Sequence, residues 1–179
     1  MIFISGIHGV GKSYFCRNIK EKLDVVTFSA SRLISERKHS GFSRDKLIPD
    51  IDDNQQYLLM AVQDLNAAGT NYLLDGHFCL LNAEGHVTRI PKDTFIALHP
   101  DAIVLLTEKP ETIAERRRQR DGIDHNTGSI QQFQEEEATY AEEVAETLGI
   151  SLKISAGADD FENTLDFVRE TMRRVNDVW

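Results

Sequence analysis

Cysteine is nearly absent from this chain, and the two present, Cys16 and Cys79, have neither the density of a disulfide framework nor the spacing of a metal site. Both read as reduced thiols. No apolar run approaches the ~20 residues that span a bilayer, and the start Met1-Ile2-Phe3-Ile4 lacks the basic flank of a secretory signal. The expectation is a cytoplasmic protein with no membrane partner. Positive charge is also scarce: 20 Lys and Arg stand against 29 Asp and Glu, a formal charge of -9, which works against non-specific attraction to nucleic acid. No stretch rich in Gly, Ser or Pro marks a linker, and no internal repeat is visible. With 179 residues, 41% hydrophobic and 27% charged, the chain has the size and composition of one self-folding domain, 1–179.

What is present is an alternation. Short apolar, β-branched runs at Ile2-Ser5, Val25-Phe28, Tyr72-Leu74, Ala102-Leu106 and Leu152-Ile154 are separated by segments of helical period, the pattern of a mainly parallel sheet covered by helices. Each run is apolar through both alternating faces, as strands buried on both sides are. Helices are predicted at about 12–23, 31–38, 54–67, 110–120, 131–147 and 159–175. Pro110 with Glu111 marks one start, and Gly149 lies just past the end of another. Segments 38–53 and 78–92 have weak periodicity and read as insertions.

The sharpest signal is Gly6-Ile7-His8-Gly9-Val10-Gly11-Lys12-Ser13, which fits G-x-x-x-x-G-K-[ST] and sits between a strand and a helix, the context that motif requires. Its glycines let backbone N–H groups curl around an anion, and the following helix adds its positive end. Gly6, His8, Gly9, Val10, Gly11, Lys12, Ser13 and Tyr14 are thus the candidate ATP contacts. Lys12 reaches the β- and γ-phosphates, and the Ser13 hydroxyl serves Mg²⁺. His8 receives no catalytic role. A second signal is Asp75, which ends the apolar run Leu73-Leu74; carboxyl ends of parallel strands border the ligand crevice. Its role is to hold the magnesium water shell or to orient an acceptor, the alternative being a loop-start Asp that caps backbone N–H groups.

Taken in order, Gly6–Ser13, Leu74-Asp75-Gly76-His77, Pro100-Asp101-Ala102-Ile103-Val104-Leu105-Leu106 and Arg116-Arg117-Arg118-Gln119-Arg120-Asp121 resemble the nucleoside monophosphate kinases, nearest to the archaeal-type adenylate kinases and their relatives. The resemblance runs from about Ile2 to Ile154, with only the phosphate loop individually specific. It implies an α/β P-loop fold, a five-stranded parallel sheet of order 2-3-1-4-5 with helices on both faces, an acceptor-binding insertion about 29–68 and a short lid about 116–130. The implied activity is ATP- and Mg-dependent phosphoryl transfer to a nucleoside monophosphate, AMP leading. Two departures bear on the acceptor. The arginine that grips the acceptor phosphate after Asp-Gly in the common bacterial-type enzymes is replaced by His77, and an acidic residue often found after strand 2 is replaced within Ser29-Ala30-Ser31-Arg32.

Phosphoryl transfer draws on positive charge at both donor and acceptor. Ser31, Arg32, Arg37 and Arg44 fall where the resemblance places the acceptor, although each arginine fits a solvated helix face equally well. Arg116 and Arg120 share a helix face at i, i+4 and are the candidates for the γ-phosphate, the bland reading being cations favoured at a helix C-terminus. Gly157 is assigned to the donor adenine by resemblance alone. Glu135-Glu136-Glu137 and Glu142-Glu143 read as a solvated helix face, and His39, His86, His99 and His125 as surface or turn residues. Two further functions stay open: a kinase of another small metabolite, and a slow ATPase acting as a nucleotide-controlled binding or assembly factor.

Overall fold

The computed structural model describes residues 1–41, 51–69, 71–82 and 85–176. Its centre is β1 (Ile2–Ser5), whose four residues are all buried, because a strand flanked by neighbours and covered by helices has no solvent face. It pairs in parallel with β3 (Tyr72–Asp75) on one side and β6 (Ala102–Thr107) on the other. Beyond these lie β2 (Val26–Ser29) and β7 (Ser151–Ala156), giving the order β2-β3-β1-β6-β7. The α/β class and five-stranded parallel sheet are those expected. The strand labels depart from 2-3-1-4-5 because a separate antiparallel hairpin, β4 (Cys79–Leu81) and β5 (Val87–Arg89), intervenes.

The outer strands correct one expectation: β2 and β7 are edge strands and are not buried on both faces. Val26 is exposed, and only Ser155 of β7 is fully buried. The helices are α1 (Lys12–Lys22), α2 (Ala30–Gly41), α3 (Ile51–Ala67), α4 (Lys92–Leu98), α5 (Pro110–Asp121), α6 (Thr127–Leu148) and α7 (Phe161–Asn176), with a 3-10 turn at Ala158–Asp160 before the last. The weakly periodic stretch 78–92 holds the hairpin and leads into α4. Its strands are three residues long, too short for a period to register. The expected lid stretch comprises the end of α5, a non-helical link at 122–126 and the start of α6, where the Asn126 side chain accepts from the Ser129 N–H at 2.9 Å. No helix among the described residues is long and apolar enough to cross a membrane.

Under the turn that leaves β3, four rings pack edge to face: Phe3 lies 5.2 Å from Phe78 and 5.6 Å from Phe95, and Tyr140 lies 6.2 Å from Phe95. The Tyr140 hydroxyl, deep in this cluster, donates to the Ile90 carbonyl at 2.7 Å. The cluster therefore joins β1, the hairpin, α4 and α6. We expect Phe95→Ala to lower unfolding free energy by about 3–5 kcal/mol in urea titrations, and Ile96→Ala, at an exposed site on the same helix, to change it by less than about 1 kcal/mol.

Candidate active site

The chain leaves β1 at Ser5 and turns through the phosphate loop before α1 begins at Lys12. Gly6 has φ 140°, and a Cβ there would stand 2.6 Å from the Leu106 carbonyl oxygen, so both backbone angle and space demand glycine. Gly11, the residue before the helix, is also left-handed, at φ 115°. No acidic side chain occupies the first turn of α1, which leaves the positive end of the helix available to an anion.

Lys12 is buried, and its ammonium donates to the Gly6 carbonyl at 2.5 Å and lies 3.0 Å from His77 Nε2 and 4.0 Å from Asp75 Oδ1. An ammonium has only donors to offer, so His77 Nε2 must be an acceptor on a neutral ring. Burial, then the Lys12 charge, pushes the His77 pKa down to about 2. His8 packs on His77 with ring centroids 4.3 Å apart, and burial followed by the Lys12 charge lowers its pKa to about 4. Burial lowers the Lys12 pKa against the pull of Asp75 and Glu137, and burial raises that of Asp75 against Lys12. Cys16, beside the site, is a protonated thiol, its pKa pushed up to about 12 by burial and then Asp75.

Glu137 corrects the sequence reading most sharply. Instead of joining a solvated face, it is 1% exposed. Its Oε1 accepts from the Ser5 hydroxyl (2.5 Å), the Gly6 N–H (3.2 Å) and the Phe78 N–H (3.0 Å), and its Oε2 from the Cys79 N–H (2.7 Å). Burial pushes its pKa up, against the hydroxyl and amide bonds that favour the carboxylate. The Gly6 peptide is consequently held from both sides, N–H by Glu137 and carbonyl by Lys12, and the turn carrying His77 hangs from the same carboxylate. Glu136 does behave as expected, paired with Arg89 at the surface. We expect Glu137→Ala, which strands three buried amides, to lower stability by about 3 kcal/mol or more in denaturant titrations, and Glu136→Ala by less than about 1 kcal/mol.

Three clefts converge on this centre. A phosphate cleft of about 400 Å³ is bounded by His8, Lys12, Ser13, Asp75 and three arginines of α5, Arg116, Arg117 and Arg120. A second, about 590 Å³, runs along Val10, Tyr14, Phe15, Gly157 and Phe161, so Tyr14 and Gly157 border one cleft. The third, about 540 Å³, lies between α1, β2 and α2 and is bordered by Ser13, Arg17, Lys20, Ser29, Arg32 and Asp75.

The arginines separate by position. Arg116 donates to the Val10 carbonyl at 2.8 Å and pairs with Glu108 at 3.1 Å. Arg117 is buried and donates through Nε to the His8 carbonyl at 2.8 Å. Arg120 is bound through two nitrogens to the adjacent Asp121, both at 2.6 Å. Among the acceptor candidates, Ser31 borders the phosphate cleft and bonds with Ser29, while Arg32 borders the third cleft and pairs with Glu36. Arg37 is turned toward α3, where it pairs with Asp64, and borders none of these clefts. Arg44 lies outside the described residues. As to a metal, Ser13 and Asp75 border the same cleft and offer a hydroxyl and a carboxylate, a donor set that suits Mg²⁺ completed by phosphates and water.

Three residues here were missed by sequence reasoning: His77, Arg117 and Glu137. For Glu137 the signal existed, since it falls in phase with Ile130, Phe133, Tyr140, Ala141 and Val144, the buried stripe of α6. Arg117 stood within a recognised cluster, but i, i+4 spacing directed attention to its neighbours.

Among curated protein sequences, none matches this chain. Solved structures do. A gluconokinase from Sinorhizobium meliloti 1021 superposes with a TM-score of 0.55 at 18% identity, covering 97% of this chain and 91% of that one. An unliganded sugar kinase from Janibacter sp. HTCC2649 gives 0.53 at 13%, over 96% and 93%. An uncharacterized protein from Eubacterium ventriosum ATCC 27560 gives 0.52 at 10%, over 94% and 95%. At such identities the likeness is one of fold alone. The family model described as AAA domain matches residues 5–134, a stretch that takes in the phosphate loop, Asp75 and the whole arginine cluster, and this chain is accordingly a member of the AAA domain family.

Proposed function

We propose that this chain is an ATP- and Mg-dependent phosphotransferase acting on a small anionic acceptor. The observation that carries the reading is the sharing of Ser13 and Asp75 by the phosphate cleft and the cleft between α1, β2 and α2. A donor phosphate on the loop and an acceptor in the neighbouring cleft then meet at Ser13 and Asp75, with Ser29 of β2 also on both clefts. Plain hydrolysis needs no second cleft. Lys12 would set its charge against the β- and γ-phosphates, and Ser13 and Asp75 would hold Mg²⁺, which supplies charge neutralisation between those phosphates. Val10, Tyr14 and Gly157 would line the nucleoside side, and Arg17 and Lys20 would give the acceptor cleft its preference for an anion, Arg32 being held there by Glu36.

Within that class, the sequence resemblance favours a nucleoside monophosphate, AMP first. A hydroxyl-bearing acidic metabolite is favoured by a different observation: the position after Asp75-Gly76 holds a histidine engaged with Lys12, and Arg37 is engaged with Asp64, so two places for a phosphate-gripping arginine are taken. A hydroxyl acceptor must also lose a proton, for which the Asp75 carboxylate stands at the cleft. The structures of the gluconokinase and sugar kinase share the fold such a reaction uses.

A coupled ADP assay across nucleoside monophosphates and sugar acids decides among these. The expected result is acceptor-dependent ADP formation with one of the two groups; identical ATP consumption with and without every acceptor would leave the slow-ATPase reading standing in its place. Lys12→Ala is expected to abolish turnover while ATP binding survives in calorimetry, because backbone amides still cradle the phosphates. Asp75→Asn keeps shape but removes charge. It should slow turnover at least about 100-fold, relieved only partly by added Mg²⁺, with an unchanged melting temperature.

A further inference from the structure

Resting on the proposal that ATP occupies the loop, we infer that Arg117, and neither Arg116 nor Arg120, is the residue that contacts the terminal phosphoryl group. The three arginines occupy neighbouring positions on one helix but have different freedom to act. Arg120 turns its Nε and Nη2 to the Asp121 carboxylate, which offsets its charge. Arg116 is fixed between the Val10 carbonyl and Glu108 and borders the nucleoside cleft as well as the phosphate cleft. Arg117 is 8% exposed, and its one recorded bond runs from Nε to the His8 carbonyl. Its Nη2 is buried and has no hydrogen-bond partner among the described residues.

A buried guanidinium nitrogen without an acceptor is costly, since the whole desolvation of a charged donor goes uncompensated. Among the described residues no carboxylate is bonded to Arg117 to offset its charge; Asp121, whose charge acts on it, is bonded to Arg120. The missing partner is thus an anion, and the cleft that Arg117 borders is the one built by the phosphate loop. Its anchor defines which end of the anion it meets. His8, whose carbonyl holds Arg117, stacks on His77, and His77 touches the Lys12 ammonium, the group that marks the β- and γ-phosphates in such loops. Arg116, bonded at Val10 and Gly9, stands nearer the nucleoside side. Contact between the Arg117 stem and the loop adds to this placement: a Cβ on Gly9 would come within 3.1 Å of Arg117 Cγ. Arg117 is therefore part of the loop wall, held through Nε by the His8 carbonyl, and its covered Nη2 is the donor that binding of the anion would uncover.

Equilibrium binding of the full chain to AMP, ADP and ATP with Mg²⁺, measured by calorimetry, tests this without requiring an acceptor or turnover. For Arg117→Met, ATP affinity should fall about 10- to 100-fold, the range for a hydrogen bond to a charged group, while ADP and AMP affinities stay within about threefold. Arg118→Met, at an exposed position paired with Glu115 and on none of the three clefts, should leave all three within about threefold, and Arg120→Met should cost ATP affinity less than Arg117→Met does. Should the methionine variant fail to fold, Arg117→Lys is the deciding variant: a compact ammonium lacks the planar fork that sets Nε on the His8 carbonyl while Nη2 stands apart for an anion, so a loss confined to ATP is again expected. Equal losses for the three nucleotides, or none, would mean that Arg117 merely clamps the loop at His8, and would overturn the inference while the phosphate-loop reading survived. Absence of ATP binding by the unmodified chain would overturn both. A normal ATP-selective loss in a protein that phosphorylates no acceptor would sustain the inference and sink the kinase proposal.

Discussion

Everything at the carboxyl end of the sheet hangs from one buried carboxylate. Glu137 gathers the Ser5 hydroxyl and three backbone N–H groups, and thereby ties α6 to the first residue of the phosphate loop and to the turn after β3. A circuit closes through Gly6: its carbonyl takes the Lys12 ammonium, Lys12 meets His77, and Phe78, next in the chain, returns to Glu137. Hydrogen bonds in such a low-dielectric setting are stronger than in water, and the loss of any one leaves its partner stranded. The aromatic cluster beneath holds the same elements by dispersion and burial, so polar and apolar forces fix one geometry.

That arrangement places charge with economy of position. Lys12 is buried among His77, Asp75 and loop carbonyls, and both nearby histidines are kept neutral by burial and by the ammonium itself. The site thus carries its fixed positive charge on Lys12 and on the arginines of α5, and its negative charge on Asp75 and Glu137. Gln134 secures α6 a second time, through paired bonds with the Glu108 backbone at 2.8 and 3.0 Å. The helix that follows the 122–126 link is consequently anchored within two turns of its start, and displacement of that link cannot travel far into the core.

The sheet and the loop were legible because their signals are local. A run such as Ala102–Leu106 has no polar residue to spoil it, and Gly6–Ser13 places every residue of the motif in one stretch. Glu137 was misread because its neighbours Glu135 and Glu136 made the segment look uniformly charged; only the donors that surround it, brought from β1 and from the turn after β3, make burial tolerable, and those are remote in sequence. His77 was similarly hidden, since its partner Lys12 is distant along the chain. The edge positions of β2 and β7 also lay outside local reading. Their composition resembles that of central strands, and only the pairing order shows that each has one neighbour.

An edge strand beside a cleft has a chemical consequence. Thr27, Phe28 and Ser29 of β2 border the cleft between α1 and α2, and among the described residues β2 pairs within its sheet on one side alone. Amides and carbonyls on the free side are fixed at strand spacing and point along the sheet plane, as a row of hydrogen-bonding groups that no side-chain replacement can delete. A small molecule read by that row would keep its orientation while the surrounding side chains varied. Substitutions on α1 and α2 would then alter the side chains around that row and leave the backbone register of β2 intact.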